Sequence, residues 1–164
     1  MIRRTAAGIR LLVLDVDGVM TDGRLYYGPR GEELKVFHVR DGHGIRTLLA
    51  AGLQVGIISG RRSRMVAARC RELGVRHVLQ GIEDKVAALR QLCARLKVTS
   101  SQCACLGDDV VDVPLMNHVR LAFAVADAHR DARRAAHVIT ALPGGQGAVR
   151  EVCDYLLAAR RQGS

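Results

Sequence analysis

Acidic, hydroxyl and amine side chains follow apolar segments at several separate points of the sequence. Asp15 and Asp17 come at the end of a nearly continuous apolar run, Ser59 ends a second run, and Asp108 follows a third. Lys85 begins a segment whose apolar residues have helical spacing. Carboxylates that lie close together repel one another unless a cation joins them, and oxygen ligands of this kind suit Mg²⁺. These residue types predict a magnesium site for phosphoryl transfer.

Each of these residues can be given a role in such a reaction. Asp15 can attack phosphorus as a nucleophile and form an acyl phosphate. Asp17 can protonate the leaving alcohol oxygen and later take a proton from the attacking water. Ser59 can donate a hydrogen bond to the phosphoryl group, and Lys85 supplies positive charge where negative charge spreads over the phosphoryl oxygens. We therefore predict these residues as catalytic.

Ordinary structural interpretations exist for the same residues. An aspartate at a strand end is often only a helix cap, and Asp109 could equally cap the helix that follows it. Ser59 taken alone is more typical of a turn, and Lys85 taken alone is more typical of a solvated helix face. Their combination in this order along the chain favours a site over four unrelated structural roles.

Segments typical of strands and helices alternate along the chain and would position these side chains. Strands are predicted from apolar runs at 9–16, 53–59, 77–80, 103–106 and 121–125. Helices are predicted at 41–51, 63–73, 85–96 and 148–159. This alternation predicts an α/β fold with a Rossmann-like parallel sheet sandwiched by helices. Ligands of such sheets bind beyond the carboxyl ends of the strands, where the candidate residues would meet.

A β-hairpin flap is predicted at about residues 24–39. Two strand-like segments, 24–27 and 34–39, flank Gly28-Pro29-Arg30-Gly31, which predicts a connecting loop longer than two residues. The insertion between Gly18 and Leu53 holds only a hairpin and a helix, and the gap between Lys85 and Asp108 holds only a helix and a strand, so neither has room for a separate cap domain. We therefore predict a single domain over residues 1–164, with an open site that the flap completes only against neighbouring copies of the chain.

The composition limits the classes of partner. The 164 residues carry a formal net charge of +9, which favours an anionic ligand. The basic residues are scattered, with few aromatic residues between them to stack bases, so we do not predict nucleic-acid binding. No apolar run approaches the roughly 20 residues that span a bilayer, so we predict a cytoplasmic protein without a membrane partner. The five cysteines match no zinc spacing and are predicted to be reduced and buried.

Four sequence motifs resemble those of the haloacid dehalogenase superfamily. Asp15-Val16-Asp17-Gly18-Val19-Met20-Thr21 resembles its DxDGxxT/S motif. Ser59, Lys85 and Gly107-Asp108-Asp109-Val110-Val111-Asp112 resemble its second, third and fourth motifs, in that order. Segments at 31–35, 39–45, 125–129 and 147–154 are similar to those of the 3-deoxy-D-manno-octulosonate 8-phosphate phosphatase family. This likeness covers roughly residues 8 to 160.

The resemblance implies a phosphatase that uses Mg²⁺ and forms a phospho-aspartate on Asp15. It implies Asp15, Asp108 and the backbone carbonyl of Asp17 as metal ligands, with Asp109 and Asp112 supporting the metal site from its edge. The substrate it implies is a small sugar-acid phosphate, whose free eight-carbon acid is used in lipopolysaccharide synthesis. It also implies a homotetramer.

Substrate specificity stays open at this point. Gly60 and Arg61 follow the second motif and are candidates to bind the substrate anion, although a solvated loop arginine would look the same. Gln146 is a further candidate, since this region in the family can approach a neighbouring active site, and many members carry arginine there. His38 and His43 also depart from the family. A nine-carbon sialic-acid-type phosphate or a broad range of sugar phosphates are therefore alternatives, and a receiver-like or regulatory phospho-binding domain is the non-enzyme alternative.

Overall fold

The computed structural model describes residues 2–163, with the side chains of 2–4, 32–33 and 162–163 excepted. The ends of the predicted domain, residues 1 and 164, lie outside this range. The strands are β1 (Leu11–Leu14), β2 (Tyr26–Gly28), β3 (Gly31–Leu34), β4 (Gln54–Ser59), β5 (His77–Gln80), β6 (Cys103–Gly107), β7 (Leu121–Ala124) and β8 (Val138–Ile139). The helices are α1 (Ile2–Ala7), α2 (Val39–Ala50), α3 (Arg64–Leu73), α4 (Lys85–Leu96), α5 (Val113–Met116), α6 (Arg130–Ala135) and α7 (Ala148–Gly163).

A six-stranded sheet forms the centre of the fold, with strand order β5-β4-β1-β6-β7-β8 and parallel pairing throughout. All residues of β1 are buried, as expected for a central strand covered on both faces. The helices α1 and α2 pack against α7, whereas α5 packs against α4 and α6. The predicted α/β class with a helix-covered parallel sheet is confirmed.

The parallel sheet brings the carboxyl ends of β1, β4 and β6 to one edge. Leu14 pairs with Ile57 on one side and with Leu106 on the other, so these strands end at nearly the same level. The helix α4 begins at the same edge because Asp84 caps it, accepting hydrogen bonds from the backbone N–H groups of Val86 and Ala87. The first residue of α4 is therefore held beside the strand ends.

The hairpin is shorter than predicted. Gly28 pairs with Gly31, so Pro29 and Arg30 form a two-residue turn, and the prediction of a longer loop is wrong. Gly31 has a φ of 114°, a conformation that a side chain would strain. The second strand ends at Leu34 rather than at residue 39, because α2 begins at Val39. Within the described residues, only this two-stranded sheet lies between β1 and α2, and no cap domain is present.

Several short elements were not predicted. They are α1, α5, α6 and β8, none longer than six residues. Segments of this length hold too few residues to display a helical or strand period. The longer elements were predicted more closely, and α4 and β5 have the predicted bounds. Among the described helices, none has the length and apolar character needed to cross a bilayer.

Candidate active site

A cavity of about 450 Å³ opens at the carboxyl edge of the sheet. It is lined by residues from the loops after β1, β4 and β6 and by the start of α4. Most of the residues predicted for the site share this lining: Asp15, Asp17, Ser59, Gly60, Arg61, Lys85, Asp108 and Asp109. The sheet thus brings together residues that lie as far apart in sequence as the first and the fourth motif.

Lys85 lies between two carboxylates on the floor of this cavity. Its Nζ atom is 3.1 Å from Oδ1 of Asp15 and 2.5 Å from Oδ1 of Asp112, and all three side chains are buried. Burial alone would lower the pKa of Lys85, but the two carboxylates outweigh it and raise the pKa. The ammonium group therefore stays charged and fixes a positive charge at the cavity floor.

The carboxylates of Asp15 and Asp108 are destabilised in their charged forms. Burial raises the pKa of Asp15 to about 6, with Lys85 opposing the rise. Burial, followed by the charges of Asp15 and Asp112, raises the pKa of Asp108 to about 8. Oδ1 of Asp15 is buried without a well-aligned hydrogen bond, although it is ion-paired with Lys85. An acidic cluster with an incompletely satisfied oxygen fits a divalent cation, which would replace the bound protons.

Oxygen atoms of Asp15, Asp108 and Asp112 lie within 4.8 Å of one another. Both oxygens of Asp112 are already engaged, however. Its Oδ1 accepts from Lys85, and its Oδ2 accepts from the backbone N–H groups of Asp108 at 3.0 Å and Asp109 at 3.3 Å. Asp112 therefore holds the loop after β6 in place, and Asp15 and Asp108 are the two carboxylates of this cluster that line the cavity.

Asp109 was predicted either to cap a helix or to support the metal site. Its side chain accepts a 2.7 Å hydrogen bond from the N–H of Val110 and caps the 3₁₀ turn Val110–Asp112. It also lines the cavity, and its charge adds to the rise in the pKa of Asp108. Its capping role is thus visible in the structure, while a supporting role at the metal stays a prediction.

A glycine is required where the loop after β1 approaches the loop after β6. Gly18 has a φ of 83°, and a Cβ atom built there would overlap the carboxylate of Asp108. A Cβ atom at Gly107 would likewise overlap the side chain of Asp112. The close approach at Gly18 lets the loops after β1 and β6 share one acidic cluster, and the approach at Gly107 lets Asp112 fold back onto the end of β6.

Asp17 contacts two cations. Lys35 donates a hydrogen bond to its Oδ1, and Nε of Arg61 lies 3.6 Å from its Oδ2. Arg61 also donates a 2.7 Å hydrogen bond through Nη2 to the hydroxyl of Tyr27 in β2. Lys35 follows β3 directly, so the hairpin reaches Asp17 from both of its strands. Lys35 was not predicted as a site residue, because no spacing in the sequence shows that the hairpin returns it to the DxD segment.

Gln146 does not line the cavity of its own chain and its side chain is exposed. The glycines before it pack against the loop after β1, where Gly145 donates a backbone hydrogen bond of 2.9 Å to the carbonyl of Val19. His38 caps α2 by accepting from the N–H of Arg40, and it also lies outside the lining. Substrate binding by Gln146 therefore stays a prediction that depends on a neighbouring copy.

Comparison with known proteins assigns this site to a class. A family model described as haloacid dehalogenase-like hydrolase matches residues 77–150. The 3-deoxy-D-manno-octulosonate 8-phosphate phosphatase of Yersinia pestis is 51% identical over 155 residues, which are 94% of this chain and 83% of that protein. The chain belongs to the 3-deoxy-D-manno-octulosonate 8-phosphate phosphatase family of haloacid dehalogenase-like hydrolases. It is therefore a phosphoric monoester hydrolase, and the non-enzyme alternative is wrong.

Solved structures of relatives share the whole fold. The phosphatase of Moraxella catarrhalis, in complex with a magnesium ion, a phosphate ion and a KDO molecule, has a TM-score of 0.95 at 39% identity and covers 98% of this chain and 92% of its own. The cobalt-bound phosphatase of Haemophilus influenzae has a TM-score of 0.94 at 40% identity, covering 96% and 92%. The prediction of Mg²⁺ is thus confirmed at the level of the family, and the acidic cluster described above fits it.

Proposed function

We propose that this chain hydrolyses 3-deoxy-D-manno-octulosonate 8-phosphate to the free sugar acid and phosphate, through a phospho-aspartate on Asp15. The observation that carries the reaction type is the position of the Asp15 carboxylate, buried at the cavity floor, 3.1 Å from the Lys85 ammonium and two residues before Asp17. The substrate follows from the Yersinia relative and from the KDO molecule in the Moraxella structure.

The cofactor of the proposed reaction is Mg²⁺. Asp15, Asp108 and the backbone carbonyl of Asp17 would hold it, with Asp112 and Asp109 bracing the loop that carries Asp108. When bound, the ion neutralises the carboxylates and polarises a phosphate oxygen.

In the first half of the reaction, an oxygen of Asp15 attacks phosphorus and the bond between phosphorus and the sugar oxygen breaks. Asp17 gives its proton to the departing sugar oxygen, so that the sugar acid leaves as a neutral alcohol at that position. The phosphoryl group is then carried by Asp15 as an acyl phosphate. Lys85 offsets the negative charge on the phosphoryl oxygens, and Ser59 donates a hydrogen bond to one of them.

In the second half, water attacks the phosphorus of the phospho-aspartate and Asp17 takes a proton from that water. The bond between phosphorus and the Asp15 oxygen breaks, which releases phosphate and restores the free carboxylate. Asp17 ends the cycle protonated, ready to act as an acid again. Its place at the cavity wall, on the same loop as Asp15, supports both proton transfers.

We further propose that the chain works as a homotetramer in which the hairpin packs against neighbouring copies. Large apolar side chains on and around the hairpin are exposed in the single chain: Leu25, Tyr26, Tyr27, Leu34, Val36 and Val39. A cluster of this kind is typical of a protein interface. Closure by a second copy would also shield the acyl phosphate from bulk water and would bring Gln146 and Arg61 of different copies within reach of a substrate anion.

The product of this reaction would supply lipopolysaccharide precursor synthesis, and we propose that it forms in the cytoplasm. All five cysteines are unpaired and buried, which supports a reducing compartment. Cell fractionation with an antibody against the chain tests the location. A periplasmic signal would contradict it.

The test of the proposed function is phosphate release in the presence of Mg²⁺. The panel holds 3-deoxy-D-manno-octulosonate 8-phosphate, a nine-carbon sugar-acid phosphate and simple hexose phosphates, and the Asp15→Asn variant is the control. A strong preference for the eight-carbon substrate that the variant loses would support mechanism and substrate together. A preference for another phosphate, also lost in the variant, would keep the mechanism and replace the substrate. Turnover that survives in Asp15→Asn would exclude the phospho-aspartate.

Sedimentation of the active enzyme tests the tetramer, and a fully active monomer would contradict it.

A further inference from the structure

The Asp17 carboxylate contacts a lysine whose side chain is much more buried than the cation of an ordinary surface ion pair. The side chain of Lys35 is 1% exposed, compared with 20% for Asp17 and 42% for Arg61. An ammonium group buried to this degree costs free energy unless a carboxylate and hydrogen bonds compensate it. The placement of Lys35 therefore needs a reason beyond surface charge, and its contact with Oδ1 of Asp17 supplies one.

The backbone that carries Lys35 is fixed by the hairpin. Lys35 follows Leu34, the last residue of β3, and β3 pairs with β2 through the register Tyr26 to Leu34. The other strand reaches the same carboxylate indirectly, because Arg61 contacts both Tyr27 and Asp17. The position of the hairpin and the orientation of the Asp17 side chain are thus linked by direct contact.

We infer that Lys35 is a positioning residue for proton transfer by Asp17. The Lys35 ammonium holds Oδ1 of Asp17, while Oδ2 contacts Arg61 only at 3.6 Å, beyond a hydrogen bond. Among the described contacts, Oδ2 is the less tightly held of the two oxygens, and we assign it to exchange the proton with the leaving group. The Lys35 ammonium compensates the negative charge that appears on Asp17 when the proton moves to the sugar oxygen.

This inference rests on the proposed function, because it assumes that Asp17 is the acid and base of a phosphatase. It makes a distinct prediction about leaving groups. A sugar alkoxide is a poor leaving group and needs a proton, whereas 4-nitrophenolate departs readily without one. The second half of the reaction, in which Asp17 acts as a base, is the same for both substrates. A residue that supports the acid step of Asp17 should therefore matter for release of the sugar in the first half and matter little for release of 4-nitrophenolate.

The experiment compares Lys35→Met with the unmodified enzyme on both substrates, 3-deoxy-D-manno-octulosonate 8-phosphate and 4-nitrophenyl phosphate, with Mg²⁺ present. Rapid mixing with excess enzyme isolates the first half of the reaction. We expect the first-turnover rate of sugar release to fall by about 10-fold or more, and that of 4-nitrophenolate release by less than about 3-fold. Lys35→Arg keeps a cation and should restore part of the loss. Arg90→Met, which removes an exposed cation of α4 away from the cavity, is the matched control for net charge.

A double-mutant cycle then tests whether Lys35 acts through Asp17. In an Asp17→Asn background, Lys35→Met should have little further effect on the sugar phosphate. An equal loss in the first-turnover release of sugar and of 4-nitrophenolate, or a full additional loss in that background, would mean a structural role and overturn the inference. If Lys35→Met does not fold, as judged by circular dichroism, Lys35→Arg carries the same comparison, since it displaces the charge while keeping it.

Failure of the inference can be told apart from failure of the proposed function. If Asp17→Asn slows sugar release in the first turnover selectively while Lys35→Met does not, Asp17 is the acid and only the role of Lys35 is overturned. If the unmodified enzyme releases no phosphate from the sugar substrate, or Asp17→Asn slows the first-turnover release of sugar and of 4-nitrophenolate equally, the proposed function and the inference fall together.

Discussion

The cavity floor and the hairpin above it are built in opposite ways. On the floor, Asp15, Lys85 and Asp112 are buried and joined by contacts of 2.5 to 3.1 Å. On the hairpin, Tyr27 is 61% exposed, and its hydroxyl contact with Arg61 is open to solvent. A buried network keeps charges at fixed positions, whereas an exposed segment can pack against another surface. We propose that the floor carries the chemistry and that the exposed face of the hairpin selects the substrate, and this division can be tested from both sides.

The largest effect is expected from Asp15→Asn on the floor. The change removes the proposed nucleophile while keeping its size, so phosphate release should fall by about 10⁴-fold or more. The melting temperature should stay the same or rise, because a buried carboxylate with a raised pKa is removed. Asp131→Asn, on the exposed helix α6, is the matched control and should keep full activity. A nearly active Asp15→Asn enzyme would mean that Asp15 on the floor is not the nucleophile.

A second large effect is expected from Lys85→Met. Without the ammonium group, Asp15 and Asp112 are left as buried carboxylates without a cation, which costs about 3 to 5 kcal/mol of unfolding free energy in the metal-free protein. Urea unfolding monitored by circular dichroism measures this loss, and phosphate release should fall with it. Arg90→Met tests whether losing any cation has the same effect. A Lys85→Met protein as stable as the unmodified chain would show that the floor is not a tightly coupled network.

The metal-free protein should become less stable as the pH rises from 5 to 8.5. The folded-state pKa values, about 6 for Asp15 and about 8 for Asp108, lie above the roughly 3.9 of an unfolded aspartate. The folded chain therefore binds these protons more tightly, and the stability they contribute is lost as the pH passes through 6 and 8.

Thermal unfolding with EDTA and with Mg²⁺ measures this dependence. Saturating Mg²⁺, at about 100 times its Kd, should add about 2.7 kcal/mol at pH 8 and less at pH 5, where protons compete with the ion. Asp108→Asn should flatten the profile above pH 6. Equal stabilisation by Mg²⁺ at both pH values would contradict the account of the acidic cluster.

The smallest effect is expected on the hairpin. Tyr27→Phe removes the hydroxyl that accepts from Arg61, and stability should change by no more than about 0.5 kcal/mol, because the group is exposed. The specificity constant for the sugar phosphate should fall by about 2- to 10-fold, the usual net worth of one hydrogen bond. Tyr26→Phe is the neighbouring control. A loss as large as that of a floor variant would mean that Tyr27 belongs to the catalytic network itself.

The residues of the cavity floor could be predicted from the sequence, whereas the contacts that the hairpin makes with Asp17 could not. Asp15, Ser59 and Asp108 could be predicted to meet because parallel strands end at one edge, a rule that needs only strand positions. Lys35 could not be predicted, because its contact with Asp17 depends on the tight turn at Pro29 and on how the two short strands fold back. Short elements such as α5 and β8 were missed because they are fixed by packing rather than by a sequence period.

The close approach of Gly18 to Asp108 also limits how the enzyme can be altered. Any side chain at Gly18 would collide with a carboxylate from another loop, so the two loops cannot change independently. In a library of random variants, this position should accept almost no replacement, whereas exposed positions away from the cavity and the hairpin, such as Arg90 and Arg130, should accept many. Attempts to retarget the enzyme toward new phosphate esters would therefore succeed by varying the hairpin and leaving the first loop untouched.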